Sequence, residues 1–300
     1  EIARLHGYDQ VPELPPRAPL RMLPAPETRR TPEALKDFLA GRDYQEIISY
    51  AFVNEAWERD LAANARPVRL LNPIASHMSV MRSTLFGGLV DALVFNLNRK
   101  QERVRLFEAG RCFSRADHGY AQPEKIGGLA YGPARPEQWG EAMRSVDFYD
   151  VKADVEGLCW PTVPRFEAAV HPALHPGQSA KIVLEGEQVG WIGALHPRWQ
   201  QKYGLTAAPV LFELEAAALL PRRVPAFREV SKFPPVRRDI AVIVEENVPV
   251  QAMLDEMRRE VPESVVEVAL FDVYRGKGID LGEKSLAFRV LMQDTQKTLT

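Results

Sequence analysis

The chain of 300 residues predicts an α+β fold, and three observations lead there. Apolar residues recur at helical spacing in some stretches and at every second position in others. The two kinds of stretch do not alternate as regular β-α-β units, which favours a mainly antiparallel sheet flanked by helices. Two proline clusters interrupt the pattern and mark connectors, so more than one domain is expected. Composition sets the outer limits. Hydrophobic residues make up 46%, ample for a core, and 38 basic against 40 acidic residues leave a formal net charge of −2. That balance excludes a protein that clamps nucleic acid by bulk charge, and the apolar content argues against disorder. No stretch approaches the roughly 18 apolar residues of a membrane span. Two cysteines, Cys112 and Cys159, are too few for a disulfide framework or a zinc knuckle, so a cytoplasmic setting is expected.

Glu1-Ile-Ala-Arg-Leu-His-Gly-Tyr8 reads as the last turns of a helix, closed by Gly7. At the far end Thr300 suits the start of a helix. Both ends look cut, and we expect a piece of a longer polypeptide. Between Val11 and Pro26 lie six prolines: Pro12, Pro15, Pro16, Pro19, Pro24 and Pro26. Proline fixes φ and offers no amide donor, so this is an extended connector. A second break comes at Pro221-Arg-Arg-Val-Pro225, followed by Pro234-Pro235. The expected division is residues 1–26 as a helical remnant and linker, 27–222 as a central body, and 223–300 as a C-terminal unit.

In the central body, Thr31-Pro32-Glu33 is a helix start with a capping hydroxyl, a proline at the first position and an acid in the first turn. Leu35, Phe38 and Leu39 follow on one side. Glu46 to Val53 reads as a strand, and Leu85 to Asn98 as a helix whose apolar face is Leu85, Leu89, Ala92, Leu93 and Leu97. Val104 to Phe113 and Gln188 to Leu195 read as strands. The search for chemistry is negative: no phosphate-binding loop, no nucleophile elbow and no paired-histidine zinc helix. His171, His175 and His196 invite a metal reading, but they sit in His-Pro turns without acidic or cysteine partners, so no metal site is expected there. Gly276-Lys-Gly-Ile-Asp-Leu-Gly282 resembles a phosphate loop only superficially; between two strand patterns, it reads as a hairpin connection.

The C-terminal unit is more informative. Arg238 to Val244 alternates, with Ile240, Val242 and Val244 on one side. Pro249 to Glu260 reads as a helix with Val250, Met253, Leu254 and Met257 as its apolar stripe. Val265 to Tyr274 and Lys284 to Met292 are two further strands. The order β-α-β-β, with a helix starting at Thr300, gives the first elements of a ferredoxin-like split βαβ fold. Its helices cover one sheet face and leave the other open. With Leu286, Phe288, Val290 and Met292 inward, Ser285, Ala287 and Arg289 point outward. On the preceding strand Phe271 and Val273 are expected inward, leaving Asp272 and Tyr274 outward. The open face would then carry Arg237, Asp239, Asp272, Tyr274, Ser285 and Arg289. A ring flanked by hydrogen-bonding groups suits recognition of an unpaired base. The same pattern also describes a solvated sheet face with one exposed tyrosine, and pattern alone favours that reading.

Several long motifs in order carry a resemblance. Phe233-Pro-Pro-Val-Arg-Arg-Asp-Ile240, Leu270-Phe-Asp-Val-Tyr-Arg-Gly276 and Ser285-Leu-Ala-Phe-Arg289 closely resemble the anticodon-binding domain that ends the bacterial phenylalanyl-tRNA synthetase beta chain. Asn72-Pro-Ile-Ala-Ser76, Met81-Arg-Ser-Thr-Leu85, Asn96-Leu-Asn-Arg99, Leu106-Phe-Glu-Ala-Gly110 and Leu195-His-Pro197 are similar to signatures of that family's central domain, and Glu1 to Pro12 to the end of its preceding helical domain.

The resemblance implies a heterotetramer of two alpha and two beta chains, in which alpha forms phenylalanyl-adenylate from ATP and transfers the acyl group to tRNA(Phe). It implies a class II synthetase-like, non-catalytic central domain with no catalytic residues, packed on alpha chains through the helix and strand near residues 31–53. The family's editing domain lies upstream of the residues matched here. For the last domain it implies that the first anticodon base stacks on Tyr274, with Asp272 and Ser285 bonding its edge. Arg237, Arg275 and Arg289 are possible phosphate contacts by charge alone. Glu1 matches one ligand of the family's magnesium site, whose other ligands precede it, so this chain alone is not expected to hold Mg2+ or to form adenylate. The reading left beside this one is a ferredoxin-like module binding protein or a small ligand, carried on a stand-alone scaffold. From Phe227 to Thr300 the count is 11 basic and 13 acidic residues; recognition there must rest on shape and hydrogen bonds, with tRNA held elsewhere.

Overall fold

A computed structural model describes residues 1–15, 17–19, 26–227, 229–259 and 261–299. The linker prolines Pro16 and Pro24, the expected helix end at Glu260 and the expected helix start at Thr300 lie outside the described residues. The chain divides into two compact units, Glu1–Pro225 and Ala226–Thr300.

The first unit opens with α1 (Ile2–His6), closed by Gly7 at a φ of 95°, where a side chain would be strained. A 3-10 turn over Tyr8–Gln10 follows. Pro12, Pro15, Pro19 and Pro26 lie outside any helix or strand. The start of α2 (Pro32–Gly41) is as expected: the Thr31 hydroxyl accepts from the Ala34 amide at 3.2 Å, and Pro32 is the first helical residue.

The strand expected over Glu46 to Val53 is instead two short ones, β1 (Gln45–Glu46) and β2 (Phe52–Val53). The ladder stops because a side chain captures the backbone between them. The Ser49 amide donates to the Glu108 carboxylate at 3.2 Å rather than to a neighbouring strand. The remaining elements of this unit are α3 (Glu55–Ala62), β3 (Val80–Met81), α4 (Phe86–Leu97), β4 (Val104–Arg111), β5 (Ser114–Arg115), β6 (Tyr120–Ala121), β7 (Glu124–Tyr131), α5 (Phe148–Cys159), β8 (Arg165–Ala168), β9 (Leu174–Leu184), β10 (Glu187–Leu195), α6 (Pro197–Lys202), β11 (Val210–Glu215) and α7 (Ala216–Leu219).

Seven strands form one sheet in the order β1-β4-β7-β11-β10-β9-β8. All pairings are antiparallel except β1 with β4. Both faces are covered, so the central strands carry apolar residues in both phases of the pleat. On β4, Leu106 packs on one face with Leu85, Leu89 and Leu93 of the α4 region, while Phe107 packs on the other with Leu35, Leu39, Val151 and Val155 of α2 and α5. β11 repeats the alternation with Leu211 and Phe212.

The second unit contains β12 (Val236–Glu245), α8 (Val250–Arg259), β13 (Val265–Tyr274) and β14 (Glu283–Met292). Its sheet runs β12-β14-β13, antiparallel throughout. That is the strand arrangement of a split βαβ unit. Leu286, Phe288 and Val290 are buried, and the stripe Val250, Met253, Leu254 and Met257 on α8 is half-buried. The glycine-rich segment 275–282 is the expected connection between β13 and β14. Among the described residues, no helix is long and apolar enough to cross a membrane.

Candidate nucleic-acid interface

Residues paired across an antiparallel ladder point to the same side, so the register of the second unit assigns each face. Leu286, Phe288 and Val290 define the covered side of the central strand β14. Opposite them on β13 stand Val273, Leu270 and Val268. The other phase is open: Tyr274 faces Ser285, Asp272 faces Ala287, and Ala269 faces Arg289. From β12, Asp239 faces Arg289 and Arg237 faces Leu291 on that same side. The structure therefore brings Arg237, Asp239, Asp272, Tyr274, Ser285 and Arg289 to one face.

Phe271 departs from expectation. The ladder is irregular between Leu270 and Asp272, where one extra residue breaks the alternation. Leu270 takes the inward place, and Phe271 is 46% exposed, its ring centroid 5.7 Å from the Arg237 guanidinium carbon and 5.4 Å from that of Arg289. Both arginines belong to the open face, so Phe271 does too. The inward assignment of Phe271 is corrected for that reason.

Tyr274 is also 46% exposed, and its hydroxyl donates to the Lys277 carbonyl at 3.3 Å, folding the ring over the start of the hairpin connection. Gly276 permits this: a Cβ there would lie 2.6 Å from the phenol oxygen. Among the described residues, the Asp272 carboxylate and the Ser285 hydroxyl have no hydrogen-bond partner, so both are open to a ligand. The three arginines differ. Arg237 is held by Asp239 through two bonds of 3.0 and 2.8 Å, which raises the guanidinium's basicity and holds the carboxyl below its usual range. Arg275 forms a forked pair with Glu246, its shortest contact 2.6 Å. Arg289 has no hydrogen bond or ion pair among the described residues, and its Nε is buried without one.

Glu1 pairs with Arg4 at 2.7 Å on the surface. Among the described residues, no three His, Cys, Asp or Glu side chains are grouped so as to hold a metal ion. A single carboxylate supplies too few oxygens for magnesium, so the residues present do not fit that ion. The three histidines are turn devices: the Nδ1 atoms of His171, His175 and His196 accept from the amides of Ala173, Gly177 and Arg198, each two residues on, at 3.2, 3.0 and 3.0 Å. Cys112 and Cys159 are buried free thiols, and burial pushes Cys159 up to about 12.

The first unit contains a polar cluster that sequence reasoning did not assemble. Arg82 and Glu108, whose side chains are 6% and 3% exposed, form an ion pair at 2.7 Å. Arg82 also donates to the Ser49 hydroxyl at 2.9 Å and to the Arg111 carbonyl at 3.1 Å. Gly110 leaves room for it, because a Cβ there would lie 2.2 Å from a guanidinium nitrogen. Next along the chain, the Ser83 hydroxyl donates to Glu58 at 2.6 Å, and the Thr84 hydroxyl and Leu85 amide donate to Glu213 at 2.9 and 2.6 Å. Lys125 completes the set by donating to Glu213 at 2.7 Å. Met81-Arg-Ser-Thr-Leu85 and Leu106-Phe-Glu-Ala-Gly110 thus meet in one buried cluster, where Arg82 pairs with Glu108, Lys125 with Glu213, and Glu58 accepts from Ser83 and Asn64.

The family model described as phenylalanyl tRNA synthetase beta chain CLM domain matches residues 11–216. The chain belongs to the phenylalanyl-tRNA synthetase beta chain family. A second model, the ferredoxin-fold anticodon binding domain, matches residues 231–300, so the family likeness runs through both units and not the second alone. Among curated relatives, the phenylalanine–tRNA ligase beta subunit of Nitrosospira multiformis is 56% identical over 300 residues, covering all of this chain and 38% of that protein. Those of Dechloromonas aromatica and Chromobacterium violaceum are 54% and 56% identical, again over the whole chain, with 39% and 38% of their own lengths covered. The chain therefore spans less than two-fifths of these relatives. A solved structure of Desulfitobacterium hafniense PylSc, a pyrrolysyl tRNA synthetase, is similar at 12% identity and a TM-score of 0.45, covering 62% of this chain and 63% of that one.

Proposed function

We propose that this chain is the anticodon-reading and structural part of a phenylalanine–tRNA ligase, working in the cytoplasm beside an alpha chain that uses ATP and Mg2+ to form the adenylate and charge tRNA(Phe). One observation carries the reading of the second unit: Tyr274 and Ser285 oppose each other on the open sheet face, with Asp272 on the same side. An aromatic ring with a free carboxylate and a free hydroxyl beside it offers a stacking surface and edge contacts to one unpaired base. The carboxylate accepts from a base N–H, and the hydroxyl accepts or donates. Arg289 is the arginine with capacity for a phosphate, whereas Arg237 and Arg275 must first release Asp239 and Glu246.

We read the first unit as a class II synthetase-like body that does no chemistry. The engagement of Arg82, Glu108, Lys125 and Glu213 with one another supports this, since no charged group of that cluster is left to meet a substrate. Its part is to support the assembly with the alpha chain.

Base selectivity tests the reading of the second unit. In the intact enzyme, Asp272→Ala and Ser285→Ala are each expected to reduce discrimination at the stacked anticodon base by about 1–3 kcal/mol, with less effect on binding of tRNAs that already carry the wrong base there. Equilibrium binding of tRNA(Phe) and its single-base variants measures this. Equal loss for every variant would assign both residues to folding.

A further inference from the structure

The reading of Tyr274 leaves Phe271 without a task. A single exposed aromatic ring is ordinary by itself, but here a backbone irregularity delivers it to the same face as Tyr274 and two arginines. Bulges re-aim side chains next to functional sites.

Two facts narrow what covers the ring. The first is the geometry of its cations. The Arg237 and Arg289 guanidinium carbons stand 5.7 and 5.4 Å from the ring centroid, whereas the Arg99 guanidinium lies on the Phe95 ring at 3.3 Å. A cation in that closer position occupies the ring face. Arg237 and Arg289 lie within cation–π reach but farther out, and Phe271 remains 46% exposed. The second is the state of Arg289, which has no hydrogen bond or ion pair among the described residues. A flat apolar surface beside a cation with no ion pair among the described residues matches the two parts of a nucleotide, base and phosphate.

Phe271 is three residues from Tyr274, but the irregularity after Leu270 shortens the path, so the two lie about 8 Å apart along a strand at about 3.3 Å per residue. One base cannot lie on both rings, but two nucleotides of a single strand can follow the edge strand β13. We propose that Phe271 is a second stacking platform, taking another unpaired nucleotide of the same RNA loop, with Arg289 on its phosphate. This rests on the reading of Tyr274 as the platform for the first base, and it widens the recognised segment from one nucleotide to two.

The test uses the full-length beta chain assembled with its alpha chain, tRNA(Phe) transcripts, and transcripts with an abasic site at each anticodon-loop position in turn. Phe271→Ala is expected to weaken binding of the intact loop roughly 5- to 100-fold, and Phe271→Tyr to restore it. The loss should vanish for the transcript abasic at one position, and that position should differ from the one at which the Tyr274→Ala loss vanishes. Arg289→Gln should weaken binding and flatten its salt dependence without changing base preference. An unchanged affinity in Phe271→Ala, with Tyr274→Ala impaired, overturns this proposal and leaves the first platform standing. A loss that vanishes at the same abasic position for both variants also overturns it, because Phe271 then only props Tyr274. Loss in neither variant removes the reading of Tyr274 itself. Thermal unfolding of each variant separates these results from misfolding.

Discussion

Arg82→Ala is expected to destabilise the first unit by about 3–5 kcal/mol, because it leaves the Glu108 carboxylate buried without its counter-charge. Glu108 would keep only the Ser49 amide and hydroxyl, at 3.2 and 2.7 Å. Two neutral donors do not replace a guanidinium in a site whose side chains are 6% and 3% exposed. The substitution also frees the Arg111 carbonyl, which accepts from Arg82 at 3.1 Å, and opens the space that Gly110 reserves. Urea unfolding measures the effect. The control is Arg82→Met with Glu108→Leu: removing both charges together is expected to recover most of the loss, since the penalty comes from the unpaired ion. If Arg82→Ala unfolds at the wild-type urea concentration, the pair does not hold the first unit together.

The second large effect is acid sensitivity from His171. Its ring packs between Phe86 and Trp191, with centroids 5.6 and 4.9 Å away, and burial lowers its pKa to about 4 from an ordinary 6.5. Nδ1 accepts the Ala173 amide, so a proton placed there breaks that bond as well. In the unfolded chain the imidazole titrates near 6.5. Above that pH it is neutral in both states and its contribution is complete. As pH falls from 6.5 towards 4 the unfolded state takes up a proton that the folded state refuses, and stability drops by on the order of 3 kcal/mol. Asp154 and Glu215 act in the opposite sense, because burial raises both carboxyls and so favours folding as they protonate. The His171 share is isolated by comparing urea unfolding at pH 7.5 and 4.5 in wild type and in His171→Asn, whose amide oxygen can still accept the Ala173 amide. The variant should lose less stability than wild type between the two pH values; an identical loss refutes the assignment.

Features set by local chemistry were readable from the residues. The Thr31-Pro32 helix start, the Gly7 helix end, the His-Pro turns and the hairpin connection each depend on neighbours a few positions apart. The open face of β14 was readable too, because its alternation from Leu286 to Met292 is unbroken and assigns Ser285 and Arg289 by elimination. Tyr274 and Asp272 followed from the same two-residue period. Phe271 did not, since the irregularity after Leu270 shifts the phase by one and no glycine or proline announces it. The interruption at Ser49 was hidden for another reason: its cause is a carboxylate 59 residues away. The Arg82–Glu108 pair is likewise a product of the fold, and only as halves of two motifs did its members stand out.

The central claim is that Tyr274 presents a stacking surface to one anticodon base. The direct measurement is the affinity of the intact enzyme for tRNA(Phe) with Tyr274 replaced by Phe and by Ala. Tyr274→Phe loses only the hydroxyl, whose hydrogen bond among the described residues is to the Lys277 carbonyl, and should bind nearly as wild type. Tyr274→Ala should lose about 1–3 kcal/mol, with the loss abolished when the stacked base is absent. Unchanged affinity and unchanged base preference in Tyr274→Ala would contradict the claim.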